Sequence, residues 1–154
     1  MKNCLPALLL APMICFSADS KKPDSTDGKP PLTPGYIVEH GQALKNDMAK
    51  VVVRFDVAAI ATVPTTFPDG TTHEVLHLVP SDIGAKFTAP ISPPFQERLK
   101  QIGIRDIRAH FEGATVTLEG HVSGTGMALV LSPTVWTYHV QLQSFENIRS
   151  VKRS

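Results

Sequence analysis

The string His73-Glu74-Val75-Leu76-His77 is the one place where this chain spells out a catalytic pattern. In H-E-x-x-H, two histidines one helical turn apart hold a zinc ion, and the glutamate activates the water bound to it. His73 and His77 would then be the ligands, and Glu74 the base, of a small zinc metallopeptidase. That chemistry needs a helix. Here the string follows Asp69-Gly70-Thr71-Thr72 and meets Pro80 soon after His77, which leaves barely two turns with β-branched flanks. In a strand, at about 3.3 Å per residue, the two histidines share a face but stand about 13 Å apart, too far to grip one ion. The residues therefore predict a strand over Glu74 to Val79, no bound metal, no cofactor and no enzyme, with the metallopeptidase as the alternative.

The other histidines, His40, His110, His121 and His139, show no metal-ligand spacing, although the pattern lets His121 and His139 face each other across a hairpin. Alternation places Arg54, Asp56, Thr115, Thr117, Glu119, His121, Thr137, His139 and Gln141 on the outward rows of strands. Of these, Arg54, Thr117, His121, Thr137, His139 and Gln141 are the candidate binding residues. Proteins that grip single-stranded nucleic acid combine a basic groove with exposed stacking aromatics. Phe55, Trp136 and Tyr138 instead fall on apolar rows, which makes them core. Arg149, Lys152 and Arg153 form a small basic cluster that reads as a solubilising tail. Gly113, Gly120, Gly124 and Gly126 read as turn or bend glycines rather than a phosphate loop.

The elements that must position these residues follow from periodicity. Val51, Val53, Phe55, Val57 and Ala59 form the apolar row of a first strand. Val63 to Thr72, with two prolines and Asp69-Gly70, reads as a loop before the second strand, and a third short strand covers Lys86 to Ala89. Ser92, Pro93 and Pro94 open a helix carrying Phe95, Leu99 and Ile102 that ends at Gly103, and a short helical turn carries Ile107 and Phe111. Val116, Leu118 and Val122 belong to a fourth strand, a turn falls at Gly124-Thr125-Gly126, and Trp136, Tyr138, Val140 and Leu142 make a fifth. Ile148 and Val151 extend it at the C-terminus.

Three strands, one helix, then two strands is the order of a mostly β, five-stranded, partly open OB-fold barrel with its helix between strands 3 and 4. The run from His110 to Val122, His110-Phe111-Glu112-Gly113-Ala114-Thr115-Val116-Thr117-Leu118-Glu119-Gly120-His121-Val122, resembles the h-F-x-G-K-x-V-x-V-x-G-x-V strand of small exported bacterial OB-fold modules. Glu39 to Val57 is similar to their E-A-L-x-x-x-G-K-x-V-x-V-x-F-x-V opening, and Phe87 to Gly103 to their strand and glycine-terminated helix. The likeness covers about 110 of the 154 residues. Ala114 stands where those modules carry a lysine, and Met127 to Thr134 adds residues to the last hairpin. The resemblance implies an OB barrel without catalytic residues.

Size and charge narrow the partners. A chain of 154 residues holds one domain, and 15 basic against 14 acidic residues give +1, no field that would favour strong nucleic-acid binding. Both cysteines, Cys4 and Cys15, sit inside an N-terminal segment with Lys2, an apolar run from Leu5 to Phe16, and small residues Ser17 and Ala18. That is the layout of a cleavable signal peptide over residues 1–18, too short to span a membrane, with lipid attachment at Cys15 not expected after Pro12, Met13 and Ile14. Residues 19–35, rich in proline, lysine and aspartate, read as a disordered linker, and 36–152 as the OB-fold-like domain. The expectation is a secreted or periplasmic, monomeric, non-catalytic binding module for a protein, a glycan or an anionic polymer. Its contact regions would be the loops Val63 to Thr72 and Gly124 to Thr134.

Overall fold

Val51, Val53, Phe55 and Val57 are buried while Lys50, Arg54 and Asp56 are exposed, so the first strand keeps one apolar row against the interior along half its length. The computed structural model describes residues 30–129 and 132–153, without the side chains of 85 and 127–135. The signal-like segment, both cysteines, most of the linker, and residues 130 and 131 among those added to the last hairpin lie outside the described residues.

In chain order the elements are α1 (Pro34–Asn46), β1 (Lys50–Thr66), β2 (Thr72–Pro80), a 3-10 turn (Gly84–Lys86), β3 (Phe87–Ile91), α2 (Pro93–Gln101), α3 (Ile107–Phe111), β4 (Ala114–Leu129), β5 (Ser132–Val140), a second 3-10 turn (Phe145–Asn147) and β6 (Ile148–Arg153). The chain is mostly β. Its strands pair in a ring, β1 to β2 to β3 to β5 to β4 and back to β1, with β6 on the outside of β4. All pairings are antiparallel except β3 with β5, which run parallel. β1 and β4 are long enough to serve two neighbours each. Lys50 to Asp56 pairs with β4 and Val57 to Thr66 with β2, a register shift between Val57 and Ala59 marking the change of partner.

The ring encloses one apolar cluster in which Phe55, Leu118 and Tyr138 all lie, with Phe55 and Phe87 edge to face at 5.6 Å between centroids. Phe95 and Leu99 of α2, Ile107 and Phe111 of α3, and Ile37 of α1 join the same cluster. Trp136, expected in the core, is only half-buried, packed against the cluster on one side and covered by the Lys45 ammonium at 4.7 Å on the other.

Four expectations are corrected. One helix and a short helical turn were expected between strands 3 and 4, and α2 and α3 lie there; α1, not foreseen, precedes β1. Thr33 caps α1 by accepting the Tyr36 N–H, and Pro34 suits its first turn, so residues that look like linker by composition start a helix whose buried face is Ile37 and Gly41. The linker also stops short of residue 35: Leu32 N–H donates to Val52 O at 2.8 Å, and Arg54 N–H to Leu32 O at 2.9 Å, adding a bridge to the edge of β1. The loop read over Val63 to Thr72 is strand except at its tip, because β1 runs on to Thr66 against β2. Gly124-Thr125-Gly126 is no turn; these residues pair with Tyr138, Thr137 and Trp136 inside β4. Gly124 is there for room, since a Cβ would stand 3.0 Å from the Tyr138 ring.

Candidate functional site

Residues Thr72 to Pro80 form a strand, so the His73-Glu74-Val75-Leu76-His77 string is extended and its histidines are not brought together. Leu78 lies in the interior cluster with Leu76 packed against it, and the strand is held on one side by β1 and on the other by β3. His73 stays at the exposed hairpin tip, its Nε2 3.1 Å from Thr71 Oγ1 and its ring edge-on to Phe67. Glu74 is exposed beside Pro64. His77 leans the other way, toward β3. Among the described residues no group of three or more His, Cys, Asp or Glu side chains could hold a metal ion.

What His77 meets is Thr88. This threonine is 5% exposed, the only buried polar side chain among the described residues, and its hydroxyl lies 3.0 Å from His77 Nδ1 and 2.9 Å from His139 Nδ1. His139 reaches on through Nε2 to Thr125 Oγ1 at 3.0 Å. A chain of polar groups therefore crosses β2, β3, β5 and β4 along their outer row. Register sets it up: Thr88 sits opposite His139 across the parallel pair, and His77 sits opposite Pro90, the neighbouring outward position of β3. The two imidazoles stand edge to face with centroids 6.1 Å apart.

The proton inventory of this chain is restrictive. A threonine hydroxyl has one hydrogen, so it can donate to only one Nδ1, and the other ring must carry its proton on Nδ1 and donate to the Thr88 oxygen. The two neutral histidines thus occupy different tautomers. Burial pushes the His77 pKa down to about 4, helped by the nearby His139, and burial likewise lowers that of His139. At neutral pH both rings are uncharged, which suits a lone-pair acceptor and an N–H donor rather than an anion-binding cation pair.

The remaining candidates fall into separate places. Arg54 and Thr117 are register partners on β1 and β4, and Arg54 borders a cleft of about 510 Å³ lined also by Pro31, Leu32, Thr33, Phe55, Asp56 and Thr115. Within it the Thr115 hydroxyl donates to Asp56. His121 does not face His139: it pairs with Lys50, and its Nδ1 donates to Met48 O at 2.9 Å, tying β4 to the turn before β1. Thr137 lies opposite Thr125. Gln141 lies beyond the end of β5, exposed, and accepts from Gln143 Nε2 at 3.1 Å. Only His139 and Thr137 among the six thus neighbour the histidine chain. His77 was singled out for a different chemistry, and Thr88 and Thr125 were missed. The signal for Thr88 was a lone hydroxyl inside the apolar run Phe87 to Ile91.

The β1–β2 hairpin is braced at both ends. At the β1–β2 tip, Asp69 accepts from the Thr71 N–H at 2.9 Å and its hydroxyl at 2.7 Å, hydrogen bonds that hold its carboxyl below the ordinary range. Arg108 of α3 donates to Ile60 O and Thr62 Oγ1 at the root of the same hairpin. The Lys50 and Arg149 side chains both pair with Glu119 between β1, β4 and β6. No helix among the described residues is long and apolar enough to cross a membrane. Neither the models of known protein families nor the curated proteins contain a match to the chain.

Proposed function

We propose that this chain is a secreted or periplasmic, non-catalytic binding module on an OB-fold-like barrel, which presents the outer face of β2, β3 and β5 to a protein, a glycan or an anionic polymer. The ring order with its parallel β3–β5 join, and α2 and α3 between β3 and β4, support the OB reading, although α1 and β6 are additions to that plan. Export is supported by the signal-like residues 1–18.

The observation that carries the reading is the placement of the two hairpins. β3 pairs with β2 at Leu76 to Leu78 and with β5 at Tyr138 and His139, so residues 63–75 of the first hairpin run past the C-terminal end of β3. By the same register, residues 125–129 and 132–137 of the second run past its N-terminal end. The two arms bracket one face from opposite ends. Loops at the rim of such a ring are where a partner is met without disturbing the packed interior. Titrating the isotopically labelled chain with heparin, a chito-oligosaccharide and single-stranded oligo-dT tests this by amide shift mapping. Perturbations over 60–75 and 123–139 are the expected result. A steep loss of affinity with added salt assigns the partner to the anionic class. A probe that binds but perturbs only α2 and β6 overturns the reading.

A further inference from the structure

We propose that His77, Thr88 and His139 form an acid-operated clasp on the join that closes the ring, holding β3 to β5 while both imidazoles are neutral and releasing it when both are protonated.

The join is the weakest pairing of the ring. β3 meets β5 at Phe87 with Tyr138 and at Thr88 with His139, followed by a bridge from Ile91 to Leu142. In that bridge Leu142 N–H donates to Pro90 O, and Ser92 N–H to Leu142 O. Pro90 has no N–H to add. The β1–β2 and β1–β4 ladders are far longer. Across this short join the polar chain from His77 to Thr125 supplies the side-chain links.

Protonation acts on those links in two steps. One added proton is accommodated, because a ring with N–H at both positions still donates to the Thr88 oxygen while the Thr88 hydroxyl donates to the other Nδ1. A second proton is not. Both Nδ1–H groups then aim at one oxygen, the Thr88 hydrogen loses its acceptor, and two cations face each other with ring centroids 6.1 Å apart. The geometry is thus stable with zero or one proton and unstable with two.

Other charge does not offset this. The outward neighbours are Ala61 on β1, Ser123 and Thr125 on β4, and Thr137 on β5, none of them charged. Charged or titratable groups on the packed elements are Lys86 beside β3, His73 and Glu74 on β2, and Lys50, Arg54 and Asp56 on β1. Further ones are Glu119 and His121 on β4, Glu39, His40 and Lys45 on α1, and Glu97, Arg98 and Lys100 on α2. None of these hydrogen-bonds to either ring, and the neighbouring His139 adds to the lowering that burial imposes on His77. Because the folded His77 value lies near 4 and the ordinary one is 6.5, the unfolded chain binds the proton first. Its contribution to stability is complete above 6.5 and is lost as pH falls from there toward 4.

Amide exchange on the full chain, corrected for intrinsic rates, tests the clasp. Between about pH 7 and about pH 4, protection at Thr88 and Leu142 falls about tenfold or more, while the β1–β4 amides hold. In the double variant His77→Gln, His139→Gln, whose amides bond Thr88 without titrating, this pH-dependent loss disappears. Loss that persists in the double variant overturns the proposal, as does unchanged wild-type protection at the join. The wild-type imidazole carbon shifts give a reading that needs no variant: His77 and His139 titrating below the ordinary range, in step with the loss of protection, support the clasp. Titration of both near 6.5 overturns it.

Discussion

Gly41 of α1 lies flat against the Tyr138 ring: a Cβ on Gly41 would stand 2.5 Å from the nearest ring carbon. The helix approaches the ring of strands this closely only because residue 41 has no side chain. Gly41→Ala would gain helix propensity but force Tyr138 or α1 to move, and overpacking of this kind costs about 1–3 kcal/mol. A lowered denaturation midpoint with an unchanged urea m-value checks it; an unchanged midpoint would show that Tyr138 gives way freely.

Arg108 fastens the free-standing half of β1. With Arg108→Ala, the Ile60 carbonyl and Thr62 hydroxyl lose a charged donor, an interaction of about 1.5–3 kcal/mol where water is excluded and less at this partly exposed site. Amide exchange over residues 60–66 should quicken more than that over 50–56, which the β1–β4 ladder protects. Uniform quickening would mean Arg108 acts on the whole fold instead.

Glu119 sits between Lys50 and Arg149, and their hydrogen bonds hold its carboxyl below the ordinary value of 4.5. A depressed folded pKa contributes stability that is present above the unfolded value and is lost as pH falls through the folded one. Glu119→Gln should therefore lower the melting temperature at pH 7 by roughly 3–6 °C. The gap to the wild type should close as the solution is acidified below 4.5. A gap that stays constant down to strong acid would refute the assignment.

The extended form of His73 to His77 keeps these two histidines from sharing one zinc ion. Exhaustive dialysis against a chelator should leave the melting temperature within about 1 °C. Stoichiometric zinc retained by the wild type and lost in His77→Ala would restore the metallopeptidase reading.

How much of this was legible in the chain differs by element. The rows from Val51 to Val57 and from Ala114 to Val122 were readable because one face is buried throughout, and alternation survives wherever that holds. Val63 to Thr66 was not, since this end of β1 has exposed residues on both faces and contains Pro64, which an edge position tolerates. α1 was hidden by Pro34 and Gly35, which belong to linkers by composition and to a helix start by position. Gly124 and Gly126 spelled a turn because the other cause of glycine in a strand, a large ring overhead, becomes visible only once Tyr138 is placed. In the site, strand geometry for the His-Glu string followed from its flanks. The partnership of His77 with His139 did not, because it runs through a threonine on a strand between them and depends on a parallel register that local pattern does not encode.

The parallel join also dictates an order of events in folding. Thr88 and His139 are separated by 51 positions, and the adjacent β4–β5 hairpin must exist before its outer edge can receive β3. A nascent chain that has emerged only as far as β4 can zip β1 to β2 and to β4, yet it holds β3 with one bare flank. Completion waits on the stretch from Ser132 onward. Until then the half-built sheet offers a sticky border to any other copy nearby, so conditions that slow the arrival of β5 should favour aggregation over maturation.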